Sequence, residues 1–473
     1  MIALSLAEIA AIVGGQQHDI PDPGRTADGP VVIDSREVRP GSLFAALPGD
    51  HVDGHDYAER AVAAGAAAVL ATRPVGVPAI VVDDVVVALG ALARAVVEKL
   101  GTTVVALTGS AGKTSTKDLM AQLLRRLGPT VWTPGSLNNE IGLPLTALSA
   151  DTATDTLVLE MGARGIGHIR YLTEITPPRV GVVLNVGTAH VGEFGGREQI
   201  AVAKGELVEA LPAAEDGGIA VLNADDPLVR AMSTRTKARV VLFGESADAD
   251  VRAEKVRLTA TGQPSFTLHT PTGCGDVTMR LYGEHHVSNA LAAAAVAHEL
   301  GMPAHEIASA LSDAGQLSRW RMEVTERADG VTIVNDAYNA NPESMRAALR
   351  ALAAMGEAAS ARGGRTWAVL GPMAELGEEA LAEHDAVGRL AVRLNVSKLV
   401  AVGGREAAWL RMGAYNEGSW GEESVHVSDT QAAVDLLRSE LRPGDVVLVK
   451  ASRSVGLERV AQQLLEREGE VRG

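Results

Sequence analysis

The chain is 473 residues long, carries a formal net charge of −16, and has only 3% aromatic residues. One ordinary core cannot absorb that length, which predicts three α/β domains with aliphatic, alanine-rich interiors. The acidic balance excludes nucleic acid or an anionic membrane as a general partner, so any anionic substrate must be met by local Lys and Arg.

In chain order, residues 1–100 form the first expected domain. MIALSLAEIAAIVGG reads as a helix with a capping box from Ser5 to Glu8, not as a signal peptide. Short strands are expected at 31–33, 43–46, 67–71 and 80–82, with helices near 56–64 and 85–100. Between them, Ser35 and Arg36 directly follow a strand, where loop residues commonly meet ligands. Local chemistry alone reads them equally as a capped turn with a solvated arginine.

Residues 101–315 alternate strand and helix, as in a doubly wound parallel sheet. TVVALTGSAGKTSTKDLMAQLLRRL, at 103–127, runs from a β-branched strand through a glycine loop into a helix whose Leu119, Met120, Leu123, Leu124 and Leu127 share one face. Unpaired N–H groups and the helix dipole at such a start favour phosphate. Gly109, Ser110, Ala111, Gly112 and Ser115 form the cradle, Lys113 supplies a charge for the outer phosphates, and the Thr114 hydroxyl is placed for Mg²⁺. The loop is shorter than a full Walker A, because the position five before Gly112 is Leu107. As a bare string it is equally an ordinary glycine turn; its strand and helix context favours nucleotide.

Expected strands at 157–160, 180–185 and 219–222 end at the edge where open α/β sheets bind ligands. Glu160 closes the first of them, as a second Mg²⁺ holder or a helix-capping carboxylate. Asn138 and Asn139 precede a helix, His190 lies in a glycine-rich loop, and Lys204 sits in AVAKGELVEA. Read locally, Lys204 is an exposed lysine near Glu206 and Glu209. The single cysteine, Cys274, excludes an intrachain disulfide framework and fits a cytoplasmic location. No apolar run reaches membrane-spanning length without a charge or helix breaker, so membrane insertion is not expected.

Residues 316–473 form the third expected domain, with strands at 331–335, 366–370, 399–402 and 446–450. Gly371 and Gly403 follow two of them, giving a Rossmann-like pattern without a GxGxxG fingerprint, so no nicotinamide or flavin site is implied. SRWRMEV at 318–324 offers Arg321 to phosphate or to a surface salt bridge. NDAYNANPESM at 335–345 is too polar for a core, leaving a bland loop as the only rival to function.

These strings together resemble the Mur ligase family. The shortened loop is the form used there and in the related folylpolyglutamate synthases. DSR, GSLFAAL and DGHDY at 34–57 stand in the family's order. NDAYNANPESM and VLGPMAELGEEALAEHDAVG at 369–388 match the member that joins D-alanyl-D-alanine to UDP-N-acetylmuramoyl-tripeptide, except that Pro372 replaces an aspartate. The resemblance implies ATP-dependent amide formation through an acyl phosphate, with a UDP-binding first domain, a central ATPase-type domain and a closing third domain. It implies that Ser35 and Arg36 contact the UDP moiety, and that an asparagine at 138 or 139 and Arg321 face the γ-phosphate. By the same resemblance, Lys204 is carbamylated and holds a second Mg²⁺ with His190, beside the first on Thr114 and Glu160. Asn289 lies near the adenine, with His286 where asparagine is usual, and the segment bearing Asn335, Asp336 and Tyr338 closes over the nucleotide. Lys450 and Arg453 are implied to receive the dipeptide's carboxylate or to hold the product. A monomer is expected. A Mur-type ligase adding another amine, or a P-loop ATPase switch, remains the alternative.

Overall fold

The computed structural model describes residues 1–49, 52–187, 196–361 and 363–466. Residues 1–100 carry a five-stranded sheet in the order Gln16–His18, Ala79–Val81, Ala68–Ala71, Leu43–Ala45, Val31–Val32, parallel except at the Gln16–His18 edge. The N-terminal helix spans Leu6–Val13. Ser5 Oγ accepts from Glu8 N at 3.1 Å, the Glu8 carboxylate accepts from Ser5 N at 2.8 Å, and Gly14 ends the helix at φ 65°.

The second sheet has nine strands, and its centre positions the site. Strand Thr103–Thr108 lies between Thr156–Glu160 and Val180–Val183, all parallel. Successive side chains point to opposite faces, so Val104 and Ala106 enter one core layer while Val105 and Leu107 enter the other. Helices Val85–Leu100, His168–Ile175 and Arg197–Glu209 cover the first layer. Helices Lys113–Leu124 and His286–Glu299 cover the second, the latter through an almost unbroken run of buried alanines.

Two expectations need correction. The sheet is not parallel throughout: Val251–Leu258, Pro264–Thr270 and Gly273–Thr278 form an antiparallel meander at one edge. Their connections, residues 259–263 and 271–272, fall short of the dozen or so that a parallel crossover needs. Leu127 does not share the buried helix face; it is 44% exposed. The helix ends at Leu124, and i to i+3 bonds from Arg126 N to Leu123 O and from Leu127 N to Leu124 O tighten the chain and turn Leu127 outward.

The third sheet has six strands in the order Glu323–Glu326, Thr332–Asn335, Val446–Lys450, Thr366–Leu370, Lys398–Val402, Ser424–Val427, parallel except for the first pair. The first and last of these strands were not among the expected ones. No helix among the described residues is long and apolar enough to cross a membrane.

Candidate functional site

The glycine loop is stitched to the neighbouring strand's end. Ser110 N and Ala111 N both donate to Asn185 Oδ1 at 2.9 Å, and Asn185 Nδ2 donates to Ala111 O at 3.1 Å. Gly112 has φ 80° and caps the helix; a β-carbon there would stand 2.5 Å from Asn289 Oδ1. Only glycine meets both demands. Lys113 Nζ donates to Gly109 O at 2.8 Å. Burial pulls the Lys113 ammonium below its ordinary pKa, opposed by the Glu160 charge and aided by Arg321.

Three polar groups converge at the helix start. Thr114 Oγ1 lies 2.8 Å from Ser136 Oγ, and Arg321 Nη2 donates to the two oxygens at 3.2 and 3.3 Å respectively. Glu160 is 1% exposed at the end of its strand; Oε1 accepts from Asn138 Nδ2 at 2.7 Å, whereas Oε2 has no hydrogen-bond partner among the described residues. Asn139 turns elsewhere, its Oδ1 accepting from Gly142 N at 2.9 Å and capping helix Gly142–Leu148.

Lys204 is not the exposed lysine that local chemistry suggested. It is 5% exposed and forms no ion pair with any described residue. Burial first, then the charge of Lys113, drive its pKa well below the usual lysine value. The nearby acids are engaged elsewhere: Glu206 accepts from Gly167 N at 2.5 Å and Arg170 N at 3.1 Å, and Glu209 pairs with Arg235 at 2.8 Å.

The third domain supplies the opposite wall. The Arg321 guanidinium sits 4.2 Å over the Tyr338 ring, and Asn341 Nδ2 donates to Ser110 O at 3.3 Å. Lys450 is buried and donates to Asp336 Oδ2 at 2.6 Å and Asn339 O at 2.9 Å, while Asp336 Oδ1 accepts from Met322 N at 3.0 Å. Arg453 stacks 4.3 Å over Trp320 and pairs with Glu458 at 2.9 Å.

These walls enclose one cleft of about 830 Å³. It is lined by Ser110, Ala111, Gly112, Lys113, Thr114, Ser115, Asn138, Asn139, Glu160, Lys204, Asn289, Arg321, Asp336, Tyr338, Lys450 and Arg453 from the sequence expectations. Gly109 and Asn335 do not line it: Gly109 packs against Leu184, and Asn335 Oδ1 accepts from Ala337 N at 3.3 Å as a turn. Ser35 and Arg36, in the first domain, do not line it either, and the Arg36 Nε is 2.9 Å from Asp34 Oδ1. His190 lies outside the described residues.

Sequence reasoning overlooked Ser136, Asn185 and Asn341 as site groups. Ser136 opens the same SLNNEIGLP string as the two asparagines, and Asn185 lies just past strand Val180–Val183 beside the loop, so position was their only signal. His285 was also missed; it stacks on His286 with ring centroids 4.3 Å apart, and both line the cleft. Burial lowers both, His285 to about 4.

A glycine loop at the carboxyl edge of a parallel sheet, a buried carboxylate beside it and an arginine from another domain define a nucleotide-dependent enzyme of the P-loop class. Comparison with known proteins narrows this. The Mur ligase middle domain matches residues 107–297, the Mur ligase glutamate ligase domain matches 320–453, and the Mur ligase family catalytic domain matches 30–100. The chain is 52% identical, over 98% of its own length and 98% of the other, to the UDP-N-acetylmuramoyl-tripeptide--D-alanyl-D-alanine ligase of Mycobacterium tuberculosis. A MurF crystal structure from Acinetobacter baumannii superposes with a TM-score of 0.86 at 32% identity, covering 98% of this chain and 99% of that one. The Thermotoga maritima MurF ligase in complex with ADP gives a TM-score of 0.79 at 32% identity, over 92% and 96% of the two chains. The chain belongs to the Mur ligase family.

Proposed function

We propose that this protein joins D-alanyl-D-alanine to UDP-N-acetylmuramoyl-tripeptide, forming the pentapeptide precursor of peptidoglycan with release of ADP and phosphate. One observation carries the reading: Lys113, Thr114 and Glu160 of one domain and Arg321 of another line the same cleft, with Arg321 hydrogen-bonded to Thr114.

A carboxylate is a poor acyl donor because oxide is its leaving group. The tripeptide's terminal carboxylate therefore attacks the γ-phosphorus of ATP, the bond to the β-phosphate oxygen breaks, and ADP leaves. The dipeptide amine then attacks the acyl phosphate carbonyl, loses a proton and expels phosphate. Phosphoryl transfer asks chiefly for positioning and charge neutralisation. Lys113 and Arg321 neutralise the phosphates, Asn138 aligns Glu160, and the loop N–H groups hold the nucleotide.

The donor set suits Mg²⁺, a hard cation taking oxygen ligands. Glu160 Oε2 is buried without a partner among the described residues, and two hydroxyls sit side by side at Thr114 and Ser136. Thr114 and Glu160 would hold one ion, and His190 with a carbamylated Lys204 would hold a second, by resemblance to the Mur ligases. Bound Mg²⁺ supplies charge that lets two anionic reactants meet. A lysine amine adds CO₂ only when neutral, losing a proton to become a carbamate. The burial that lowers the Lys204 pKa supports that state.

With domains dividing at about 100 and 315, the resemblance to the Mur ligases gives the UDP moiety to Ser35 and Arg36 of the first. Lys450 has its protons committed to Asp336 and Asn339, so the incoming dipeptide's carboxylate falls to Arg453. The enzyme acts as a cytoplasmic monomer. Phosphate release assayed with UDP-N-acetylmuramoyl-tripeptide and a panel of amines tests the proposal. The expected result is release only when both the nucleotide substrate and D-alanyl-D-alanine are present. Substrate-independent ATP hydrolysis, or preference for another amine, contradicts it.

A further inference from the structure

Helix Lys113–Leu124 and its final turn present Thr114, Asp118, Gln122 and Arg126 at intervals of four residues, which places them in one stripe. The segment joining the second and third domains meets that stripe in reverse order. Arg321 Nη2 donates to Thr114 Oγ1 at 3.2 Å, and Ser318 N donates to Asp118 Oδ2 at 3.1 Å. Gly315 exchanges two hydrogen bonds with the Gln122 carboxamide, each 2.9 Å, and Arg126 Nη2 donates to Asp313 Oδ2 at 2.9 Å. Residues 313–321 therefore run antiparallel along the helix that begins at the glycine loop.

The middle rung is backed by a buried charge. Lys117 is 0% exposed, lies 2.7 Å from Asp118 Oδ1, and donates to Thr133 O at 2.7 Å and Gly135 O at 3.0 Å. Those carbonyls lead straight into Ser136, the other neighbour of Thr114. Adjacent residues of one helix thus hold both strands of chain that converge on the Thr114 hydroxyl. On the far side, Trp320 and Met322 flank Arg321 with φ of 59° and 54°, and Asp336 Oδ1 fixes Met322 N. Side chains rarely adopt that backbone region unless their surroundings impose it. Arg321 is held between a clamp on each domain.

We infer that Asp118 and Gln122 are positioning residues for phosphoryl transfer. They register the interdomain segment on the loop helix so that Arg321 reaches the phosphate end of the cleft. Neither residue lines the cleft itself, so each acts through Arg321. The inference rests on the ligase reading, in which Arg321 meets the γ-phosphate.

Gln122→Met removes both Gly315 hydrogen bonds, keeps the stem and leaves no unpaired buried charge. Asp118→Ala removes the Ser318 contact. Each is measured for kcat, KM for ATP and thermal midpoint, in the native and in an Arg321→Ala background. Gln122→Met is expected to lower kcat about fivefold with KM for ATP changed less than about twofold, and to add almost nothing once Arg321 is already alanine. Asp118→Ala is expected to follow the same pattern, and Gln122→Met decides the matter alone if Asp118→Ala does not fold. A drop in thermal midpoint with unchanged kcat, or an equal fold-loss in both backgrounds, shows a merely structural role and overturns the inference while sparing the ligase reading. Unchanged kcat in Arg321→Ala alone overturns the phosphate role of Arg321 and the inference with it.

Discussion

Asn289 places its carboxamide oxygen where a side chain on Gly112 would have to begin, 2.5 Å from the position of a β-carbon. Alanine at 112 must also hold φ 80°, a left-handed conformation that disfavours L-residues by about 1–2 kcal/mol. Gly112→Ala is therefore expected to weaken ATP binding strongly, by displacing either the loop or Asn289. Calorimetric titration with a non-hydrolysable ATP analogue checks this, and Asn289→Ala in the same chain should restore part of the loss by clearing the space.

Lys204 carries the second prediction. Replacing it with alanine should lower kcat at least a hundredfold while ATP affinity changes little, since Lys113 and the loop remain. Carbon-13 bicarbonate should give a carbamate resonance in the native chain and none in Lys204→Ala. Normal turnover in Lys204→Ala, or indifference to removal of CO₂, contradicts the carbamate.

Acid should destabilise this fold through three histidines. Burial lowers the pKa of His285, His286 and His384 in the folded chain, His285 from 6.5 to about 4. The unfolded chain then takes up protons first, so their stabilisation is complete above 6.5 and is lost as pH falls towards the folded values. His384 makes the reason visible: its Nε2 accepts from Met373 N at 2.9 Å, which a protonated ring cannot do. The thermal midpoint should drop across this window, and His384→Gln, which keeps an acceptor but does not titrate, should flatten the slope.

Asp445 is buried at 0% exposure and accepts from Arg365 N at 2.8 Å, Arg442 N at 3.1 Å and Trp367 Nε1 at 3.0 Å, with the Arg365 guanidinium at 2.7 Å. Asp445→Ala should lower stability by about 3–5 kcal/mol by stranding those donors. Urea unfolding followed by tryptophan fluorescence measures it, and kcat of the folded fraction should hold because none of these groups lines the cleft.

The expected elements at 85–100, 366–370 and 446–450 appear as helix Val85–Leu100 and strands Thr366–Leu370 and Val446–Lys450. Their boundaries are written locally, in Asp84 as a cap and in unbroken apolar runs. The cluster of Lys113, Thr114 and Glu160 was legible for the same reason, since strand ends share one edge of a parallel sheet. The antiparallel edge was also open to reading: VRAEKVRL alternates in polarity and burial on either side of a phase change at Glu254 and Lys255, where the register shifts. Alternation of strand and helix elsewhere in the domain masked it.

What the residues did not reveal depends on distant partners. Lys204 looks solvent-exposed beside two acids, yet Glu206 is drawn off to cap helix His168–Ile175. Asn138 and Asn139 are neighbours of one type, and only the fold separates the one that meets Glu160 from the one that caps a helix. The rungs between Gln122 and Gly315 join positions too far apart in the chain for any local pattern to link.

The lone cysteine has a practical consequence. Cys274 is exposed on Gly273–Thr278, the outermost strand of the nine-stranded sheet, with five strands between it and Thr103–Thr108. At about 4.8 Å per strand the strand bearing the thiol stands roughly 29 Å from the one that leads into the nucleotide loop. A maleimide dye will therefore attach at one place, far from the chemistry, and energy transfer from it to a fluorescent nucleotide can follow loading of the native chain with no residue altered.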